Sequence, residues 1–571
     1  MGNFVQMPKL GMTMTDGKIV RWLKQEGDVI AKGDYIFEVE TDKTTLEVDS
    51  LYEGVLLKRY YGEGDTVLCD TGIAYIGAAG EAVPEIAAGS GTSGQAAASP
   101  VESAERQPEA QPLQTDGTEY DYDLVVIGGG PGGYVAAIRA AQLGAKTALI
   151  EKDTVGGTCL NRGCIPTKAL YASAKQWTKV KGAEEFGIRI TGAELDFAAV
   201  MKRKDGIVKQ LTGGVAALLK KNNVDIIYGT GAMTNEHEVT VGDKTVTCRY
   251  AMLATGGKPA SVLKNVEDGV IIYDTDKLMG LTALPQTAVI VGGGIIGCEV
   301  GCILNAFGTK VTIVEMLPAI LPMVDADVSA LLAERMKNGG IDIKTSLTLD
   351  AVKKNGGLYS VTLSDGSTLQ CEMILEAVGR TVDDQAFGSL GLERSPKGFV
   401  SVDAFMCTSL ASVYAIGDIT GISQLAHAAS EQGVIAAERM FAGRSEADEP
   451  LIPSCIFTDL EIAYVGLTEK QARDKGINPR VFKFPFSANG KALTLGESEG
   501  FVKVICDDRF SEILGVHIIG PEASTMIHEA VAVMRLEGTA ESAGSTVHAH
   551  PTLSEALMEA FLGCSKGAVH I

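Results

Sequence analysis

The fold of this chain is decided by one glycine-rich stretch, Asp123-Leu-Val-Val-Ile-Gly128-Gly-Gly130-Pro-Gly-Gly133. Its apolar run is typical of a buried strand, and the alanine-rich residues after the glycines are typical of a helix. Glycines at these positions permit a tight turn, a close approach of the backbone to a pyrophosphate, and close packing of the helix on the strand. The helix N-terminus then faces the phosphate charge. The stretch therefore predicts a dinucleotide-binding unit.

The residues that follow complete this unit. A second strand is predicted over residues 147–150, and Glu151 comes directly after it, 23 residues beyond the first glycine of the turn. An acid about 20 residues after that glycine is placed to bind a ribose hydroxyl. A glycine turn can occur without a ligand, but the order strand, turn, helix, strand and acid is specific. The nucleotide-binding residues predicted here are Gly128, Gly130, Gly133 and Glu151.

The same unit occurs again 164 residues further along the chain. Thr287-Ala-Val-Ile-Val-Gly292-Gly-Gly294-Ile-Ile-Gly297 leads through a predicted helix to a strand at residues 311–314 and to Glu315. Two copies in the same context argue against glycine turns without a ligand, so the sequence predicts two dinucleotide sites. An acid at the end of the second strand repels a 2′-phosphate, and therefore Glu315 favours NAD over NADP. The residues predicted for this site are Gly292, Gly294, Gly297 and Glu315.

Two closely spaced cysteines lie between the units, in Gly156-Gly-Thr-Cys159-Leu-Asn-Arg-Gly163-Cys164-Ile-Pro166-Thr-Lys168. In a regular α-helix, five positions correspond to a rise of about 7.5 Å and to different faces. The Cα atoms of a disulfide are usually within about 6.8 Å, so a bond needs an irregular loop or a distorted helix start, which Gly163 and Pro166 favour. Two unlinked packing thiols are the alternative. Zinc is disfavoured, because no second cysteine pair has metal-ligand spacing.

Composition narrows the class of protein. The 571 residues are 46% hydrophobic and 21% charged, which indicates roughly three to five globular domains and argues against a disordered or fibrous chain. A net charge of −22 opposes binding to nucleic acid or to an anionic membrane. Eleven cysteines are too few for a disulfide scaffold, and neither a secretory signal nor a membrane-spanning run is evident. We therefore expect a cytoplasmic protein with reduced thiols.

An N-terminal unit is set apart by residues 80–118, an Ala/Pro/Gly/Ser-rich stretch that predicts a flexible linker. Residues 1–78 alternate apolar and polar positions in short runs, which predicts an all-β unit. Glu26-Gly-Asp-Val29 recurs as Glu63-Gly-Asp-Thr-Val67, and the segment Thr41-Asp-Lys43-Thr44 lies between the two halves. This arrangement resembles a lipoyl domain, and the resemblance implies that lipoate is attached to Lys43. Biotinyl domains usually have Met on both sides of the lysine, which this sequence does not.

The rest of the chain resembles the flavoprotein disulfide reductases with two dinucleotide sites, and among them the dihydrolipoamide dehydrogenases. The resemblance covers about residue 121 to the C-terminus. In addition to the cysteine stretch, it rests on Ala254-Thr255-Gly256, Ala377-Val-Gly379-Arg380, Tyr414-Ala-Ile-Gly417-Asp418 and His548-Ala-His550-Pro-Thr-Leu-Ser-Glu555. The chain departs from the family at one place, where the usual Pro-Asn after the Val-Gly-Arg motif is Val382-Asp383.

The resemblance implies a reaction and the residues that perform it. Protein-bound dihydrolipoamide is oxidised by a Cys159–Cys164 redox disulfide and FAD, with reduction of NAD⁺ to NADH. The substrate thiolate attacks Cys159, Cys164 faces the flavin, and His550 is the base that Glu555 orients. His548, two residues earlier, is the natural control for His550. The implied cofactor-binding residues beyond the two glycine turns are Gly157, Thr158, Lys168, Gly231, Thr255, Gly256, Glu299, Gly379, Asp418 and Ala426.

The predicted architecture has several domains. An all-β, lipoyl-type flattened barrel and a linker precede an α/β flavoprotein with two dinucleotide-binding domains and an α+β C-terminal dimerisation domain. The predicted boundaries are 1–78 for the lipoyl domain, 79–119 for the linker, 120–270 for the first part of the FAD domain, 271–388 for the NAD domain, 389–450 for the central domain and 451–571 for the interface domain. The family implies a homodimer, in which His550 of one subunit completes the site of the other. It also implies lipoylated acyltransferase or carrier subunits of a 2-oxoacid, acetoin or glycine-cleavage complex as partners.

Other functions fit the sequence less well. A glutathione-type reductase should prefer NADP and have basic residues where Glu315 lies. A mercuric reductase should end in two adjacent cysteines, whereas Cys564 stands alone. An NADH oxidase-like flavoprotein tends to use a single redox cysteine. A scaffold or carrier subunit without redox activity has no need of the cysteine pair.

Overall fold

The computed structural model describes residues 2–8, 16–40, 45–69, 71–81, 83–84, 118–446 and 450–571. The chain divides into two compact units, Met1–Ala104 and Glu105–Ile571. Lys43 and nearly all of the predicted linker lie outside the described residues. Within the described ranges, every helix is too short or too polar to cross a membrane.

The first unit is all-β in its described part. Its strands are β1 (Asn3–Gln6), β2 (Asp16–Trp22), β3 (Val29–Ile30), β4 (Tyr35–Glu40), β5 (Thr45–Asp49), β6 (Gly54–Arg59), β7 (Thr66–Leu68) and β8 (Gly72–Gly77). They form two four-stranded sheets with the orders β1-β8-β6-β3 and β5-β4-β2-β7. The repeated turns place Gly27 and Gly64 at nearly the same positive φ, 98° and 92°. The flattened barrel of two similar sheets is thus confirmed.

The second unit contains both strands and helices. Its strands are β9 (Tyr122–Ile127), β10 (Thr147–Glu151), β11 (Asp225–Tyr228), β12 (Gly231–Asn235), β13 (Glu238–Val241), β14 (Lys244–Leu253), β15 (Gly257–Pro259), β16 (Ile272–Tyr273), β17 (Thr287–Val291), β18 (Lys310–Glu315), β19 (Asp342–Thr345), β20 (Leu349–Asn355), β21 (Leu358–Leu363), β22 (Thr368–Cys371), β23 (Met373–Glu376), β24 (Arg380–Val382), β25 (Val413–Ala415), β26 (Ser454–Phe457), β27 (Glu461–Gly466), β28 (Pro479–Pro485), β29 (Phe501–Asp507) and β30 (Ile513–Ile519). Its α-helices are α1 (Pro131–Gln142), α2 (Gly157–Asn161), α3 (Cys164–Lys181), α4 (Phe197–Lys221), α5 (Thr275–Leu278), α6 (Ile295–Phe307), α7 (Ala326–Asn338), α8 (Ala426–Phe441), α9 (Glu469–Asp474), α10 (Gly490–Leu495), α11 (Ala523–Arg535), α12 (Ala540–Gly544) and α13 (Glu555–Cys564). Short 3₁₀ helices cover Ala183–Phe186, Gly388–Leu390, Gly417–Thr420 and Phe486–Ala488.

Two parallel sheets carry the two glycine turns. In the first, β9 pairs in parallel with β10 and β14, while β12 and β13 extend the sheet beyond β14. In the second, the order is β16-β23-β17-β18-β19, and all pairs are parallel. In each sheet, the turn follows an inner strand (β9 or β17), and the strand that ends in the acid lies next to it. This confirms the predicted α/β architecture with two dinucleotide-binding units.

The C-terminal part forms a separate layer. Strands β26-β27-β30-β29-β28 make an antiparallel five-stranded sheet, and α11 and α13 pack against it around a core that includes Phe486 and Phe561. The α+β character predicted for the C-terminal domain is confirmed, for example by the strand Ile513–Ile519 and the helix Ala523–Arg535. The short pair β15–β24 brings residues 257–259 beside residues 380–382, so two of the sequence motifs meet.

Candidate active site

The two glycine turns have the same hydrogen-bonding geometry. The backbone N–H of Gly129 donates to Glu151 Oε2 (2.7 Å), and that of Gly293 donates to Glu315 Oε2 (2.6 Å). In each turn, the other carboxylate oxygen accepts the backbone N–H two residues beyond the acid, at 2.8 Å. Each acid therefore has a fixed orientation before any ligand binds.

The third glycine of each turn is required by packing. A Cβ at Gly133 would overlap the carbonyl oxygen of Gly128, and a Cβ at Gly297 would overlap that of Gly292. The first glycines also have positive φ, 109° at Gly128 and 105° at Gly292, a region that favours glycine. The helix can approach the strand end this closely only without side chains.

Both turns open into one cavity of about 1920 Å³. Ligand pockets usually measure about 300–1,000 Å³, so this cavity has room for two dinucleotides. All the predicted cofactor-binding residues except Gly297 line this cavity. Gly297 packs against Gly292 within its own turn. The predicted residues that line it are Gly128, Gly130, Gly133, Glu151, Gly157, Thr158, Cys159, Cys164, Lys168, Gly231, Thr255, Gly256, Gly292, Gly294, Glu299, Glu315, Gly379, Asp418 and Ala426.

Buried polar atoms in the cavity wall fit a polar cofactor. Thr255 Oγ1, Arg380 Nε and Asp383 Oδ1 are buried and have no hydrogen-bond partner in the described structure, although Arg380 Nε lies 3.5 Å from Asp418 Oδ2 and Asp383 Oδ1 lies 3.8 Å from Lys258 Nζ. Buried polar groups in proteins are nearly always hydrogen-bonded, so Thr255 Oγ1 above all indicates a ligand with a polar group of its own. Burial also raises the pKa of Asp418, although Arg380 opposes the shift. A wall of this chemistry suits the ribityl and phosphate groups of FAD.

The cysteine pair lies where a helix is interrupted. Helix α2 ends at Asn161 and α3 begins at Cys164, because Gly163 (φ −121°, ψ −111°) breaks the helical path. This confirms the irregular helix start predicted from the sequence. The thiols of Cys159 and Cys164 are close enough to share a hydrogen bond, which five positions of a regular helix would not permit. Both are free thiols in this structure.

The two thiols of the pair differ in acidity. The hydrogen bond from Cys159 and the positive charge of Lys168 lower the pKa of Cys164 to about 7, against the opposing effect of burial. The same hydrogen bond and burial raise the pKa of Cys159. Cys164 is therefore the more acidic thiol of the pair. A thiolate is the reactive form in disulfide exchange.

Half-buried Lys168 and buried Glu299 form an ion pair beside these thiols. Lys168 Nζ donates to both carboxylate oxygens of Glu299 at 2.9 and 2.8 Å, and Glu299 is only 3% exposed. Glu299 Oε1 also accepts the backbone N–H of Phe457 (2.9 Å), whose ring lies 4.8 Å from Lys168 Nζ. The pair thus joins α3, α6 and β26, which an ordinary ion pair on a helix surface does not do.

The predicted base and its orienting acid are also paired. His550 Nδ1 lies 2.9 Å from Glu555 Oε1, and the backbone N–H of Thr552 donates to Glu555 Oε2 (2.8 Å). An Nδ1–H that donates to the carboxylate leaves Nε2 unprotonated and able to accept a proton. The His550 side chain is 79% exposed and, with Glu555, does not line the cavity of its own chain. Within one chain the base and the thiols are therefore apart.

Several residues of the cavity wall were not predicted from the sequence. Tyr464, Ser524 and His528 line it from the C-terminal layer, and Ser524 Oγ donates to the buried carboxylate of Glu461 (2.9 Å). Asp383, noted only as a departure from the family, also lines it. Strands and helices distant in sequence bring these side chains together, and no local motif signals them.

Comparisons with known proteins agree with this site. The family model for pyridine nucleotide-disulphide oxidoreductases matches residues 122–433, and the model for their dimerisation domain matches residues 452–561. A third model, described as biotin-requiring enzyme, matches residues 3–76. The chain is 41% identical to the dihydrolipoyl dehydrogenase of Thermus scotoductus and 40% identical to one from Bacillus subtilis, in each case over 79% of this chain and 99% of the relative.

Solved structures share the fold. The HOCl-induced flavoprotein disulfide reductase RclA of Escherichia coli is similar over 77% of this chain and 99% of its own, with a TM-score of 0.70 and 27% identity. LpdA of Mycobacterium tuberculosis is similar over 77% of this chain and 98% of its own, with a TM-score of 0.72 and 26% identity.

Proposed function

Because this chain belongs to the pyridine nucleotide-disulphide oxidoreductases, and among them to the dihydrolipoyl dehydrogenases, we propose that it oxidises protein-bound dihydrolipoamide and reduces NAD⁺. The observation that carries the proposal is the Cys159–Cys164 pair, which lies in one cavity with two nucleotide turns and the Lys168–Glu299 pair. The family implies FAD and a pyridine nucleotide as cofactors.

The first turn is the proposed FAD site and the second the proposed NAD site. The cysteine stretch belongs to the first turn, where a Cβ at Gly157 would lie 2.6 Å from Gly130 Cα. Thr255, Arg380 and Asp418 would hold the polar groups of FAD. When bound, FAD supplies the acceptor for the two electrons of the dithiol, and NAD⁺ receives them as hydride. Glu315 would bind the ribose hydroxyl and exclude a 2′-phosphate.

The protein residues carry out the exchange of sulfur bonds. His550 takes the proton of one substrate thiol, with Glu555 holding its ring. The substrate thiolate attacks Cys159 of the oxidised pair, so that a new sulfur–sulfur bond forms while the Cys159–Cys164 bond breaks. Cys164 leaves as a thiolate, which the charge of Lys168 stabilises. The second substrate thiol displaces Cys159, and the product leaves as a cyclic disulfide.

The active form is proposed to be a homodimer. The match to a dimerisation domain supports this association, and His550 is exposed and outside its own cavity. A base supplied by the second subunit would complete the site that holds Cys159 and Cys164. A monomer would then lack proton transfer.

The N-terminal unit is proposed to carry lipoate on Lys43 and to act as a tethered substrate. The match of residues 3–76 to the biotin and lipoyl type of domain supports this role. A flexible tether can give an effective concentration on the order of millimolar. The remaining partners would be the lipoylated acyltransferase or carrier subunits of a 2-oxoacid, acetoin or glycine-cleavage complex, in the cytoplasm.

The activity is tested by NADH formation from dihydrolipoamide. We expect wild type to be active, and Cys164→Ser to lose activity by a factor on the order of 10³ or more while retaining FAD, since serine cannot form the disulfide. Cys455→Ser is a matched control, because Cys455 also lines the cavity but burial raises its pKa to about 11. A flavin-loaded wild type without activity would contradict the proposal.

The tether is tested by deleting residues 1–118. Turnover of free dihydrolipoamide should be unchanged, since both nucleotide sites remain, whereas electron flow through the reconstituted complex should fall. The control is the full-length chain with Lys43→Arg, which keeps the tether but cannot be lipoylated. Unchanged flow in both variants would exclude the tethered substrate.

A further inference from the structure

A second histidine–glutamate pair lies beside the proposed base. His548 Nε2 is 2.8 Å from Glu529 Oε1 on α11, and His548 Nδ1 is 2.8 Å from the carbonyl oxygen of Thr546. The His548 side chain is 8% exposed, in contrast to the exposed ring of His550. The sequence makes His548 only a control for His550, but in the structure His548 has hydrogen-bond partners that His550 does not share.

The bond to Glu529 connects His548 to a different element of the chain. A carboxylate oxygen accepts hydrogen bonds, so the 2.8 Å contact is made by His548 Nε2–H donating to Glu529 Oε1. This bond joins the segment that precedes α13 to α11.

His548 is the one residue of the segment 545–551 that is not exposed. Every other residue of the segment 545–551 is exposed, and Val547 reaches 95%. Across the described chain, no backbone N–H of residues 547–550 donates to another backbone group. The bond from His548 to Glu529 thus ties the backbone that precedes His550 to α11.

We propose that His548 is a positioning residue for disulfide exchange, which acts by holding His550 in place through Glu529. The inference rests on the proposed function, because it assigns His550 the proton transfer. A base held at both ends, by Glu555 on its ring and by the His548–Glu529 bond on its backbone, stays within reach of the substrate thiol. A displacement of about 1 Å can cost on the order of 10²-fold in rate.

Two amide substitutions separate the two bonds of His548. Asparagine places its amide nitrogen where Nδ1 lies, so His548→Asn keeps a donor for Thr546 but cannot reach Glu529. Glutamine places its amide nitrogen where Nε2 lies, so His548→Gln keeps the donor for Glu529. We expect His548→Asn to lower kcat for dihydrolipoamide on the order of tenfold to a hundredfold, and His548→Gln to restore most of it.

A double-mutant cycle in the full-length holoenzyme shows whether His548 acts through His550. Once His550→Gln has removed the base, adding His548→Asn should cause no further loss, because its only effect is on that base. The reduction of ferricyanide by NADH, which needs no proton from a substrate thiol, should stay unchanged in His548→Asn. Flavin content and thermal stability are measured on the same samples.

Each outcome decides the proposal. Rescue by glutamine, non-additivity with His550→Gln and an unchanged ferricyanide rate support it. A fully active His548→Asn, a loss that multiplies with that of His550→Gln, or an equal loss in the asparagine and glutamine variants overturns it. Failure of the proposed function would differ, since wild type itself would form no NADH from dihydrolipoamide.

Discussion

The two nucleotide-binding units have the same turn and different surroundings. The hydrogen bond from Gly129 to Glu151 is 2.7 Å long and the one from Gly293 to Glu315 is 2.6 Å long. In each turn, the third glycine packs on the first. The turn itself therefore does not distinguish a flavin site from a nicotinamide site.

The difference begins after the strand that carries the acid. Beyond Glu151, the broken helix places the cysteine pair in the cavity and sets Gly157 against Gly130. The loop after the acid contacts the turn in both units. The backbone N–H of Gly156 donates to the carbonyl oxygen of Gly129 (2.7 Å), and that of Leu321 donates to the carbonyl oxygen of Gly293 (2.8 Å). What differs is the content of the loop, because only the first loop leads into the cysteine pair.

The largest effects are expected from an alanine at the third glycine of each turn, which tests whether the two turns bind different cofactors. Gly133→Ala should abolish both flavin binding and activity, because the Cβ would overlap the Gly128 carbonyl. Gly297→Ala should keep the flavin and its bleaching by dihydrolipoamide, but lose NADH formation by about 10²-fold or more. Flavin absorbance after gel filtration and stopped-flow bleaching distinguish the two variants. Loss of flavin from Gly297→Ala would reverse the assignment of the sites.

A smaller effect is expected from the two acids. Loss of a hydrogen bond to a charged group costs about 1.5–3 kcal/mol, so Glu315→Gln should raise KM for NAD⁺ by roughly tenfold to a hundredfold without loss of FAD. Glu151→Gln should weaken FAD binding by a similar factor and leave KM for NAD⁺ unchanged in flavin-saturated enzyme. Steady-state kinetics with added FAD measure both. Equal effects of both variants on KM would show that the units are not separate.

The smallest effect is expected from removing the charge of Lys168, which changes the pKa of Cys164. The pKa of Cys164 is lowered from 9.0 to about 7. Between pH 7 and pH 9, Cys164 is therefore mainly a thiolate, whereas an ordinary cysteine is mainly protonated. The thiolate of Cys164 is lost as the pH falls through 7. Lys168→Met should raise that pKa and reduce the thiolate fraction at pH 7 by a few-fold. NMR of the labelled Cys164 Cβ in the reduced protein measures it. A fall in the pKa would contradict the role given to Lys168.

Much of the site was predictable because its signals are local. Each glycine turn lies between a strand and a helix of one short segment, and the break between Cys159 and Cys164 follows from Gly163 within the same stretch. Backbone sterics act over a few residues, so such patterns show directly in the sequence. The alternation of residues in the first unit predicted its strands for the same reason.

Other features depend on residues far apart in the chain. Cys564 stands alone in the sequence, yet its thiol donates to the carbonyl oxygen of Val504 on β29 (3.4 Å), 60 positions earlier. His548 has Glu529 as a partner 19 positions earlier, on a different element. No periodicity or motif specifies these pairs, because the order of strands and the packing of helices bring them together.

The amino-acid sequence was sufficient to predict two glycine turns, their acids, a closely spaced cysteine pair and an N-terminal all-β unit, since each depends on the conformation of a short segment. Three properties needed the tertiary structure: both turns share one cavity, Lys168 pairs with Glu299 across 131 positions, and the pKa of Cys164 is lowered while that of Cys159 is raised. Those properties depend on distance and burial in space, which the packing of the sheets and the C-terminal layer sets.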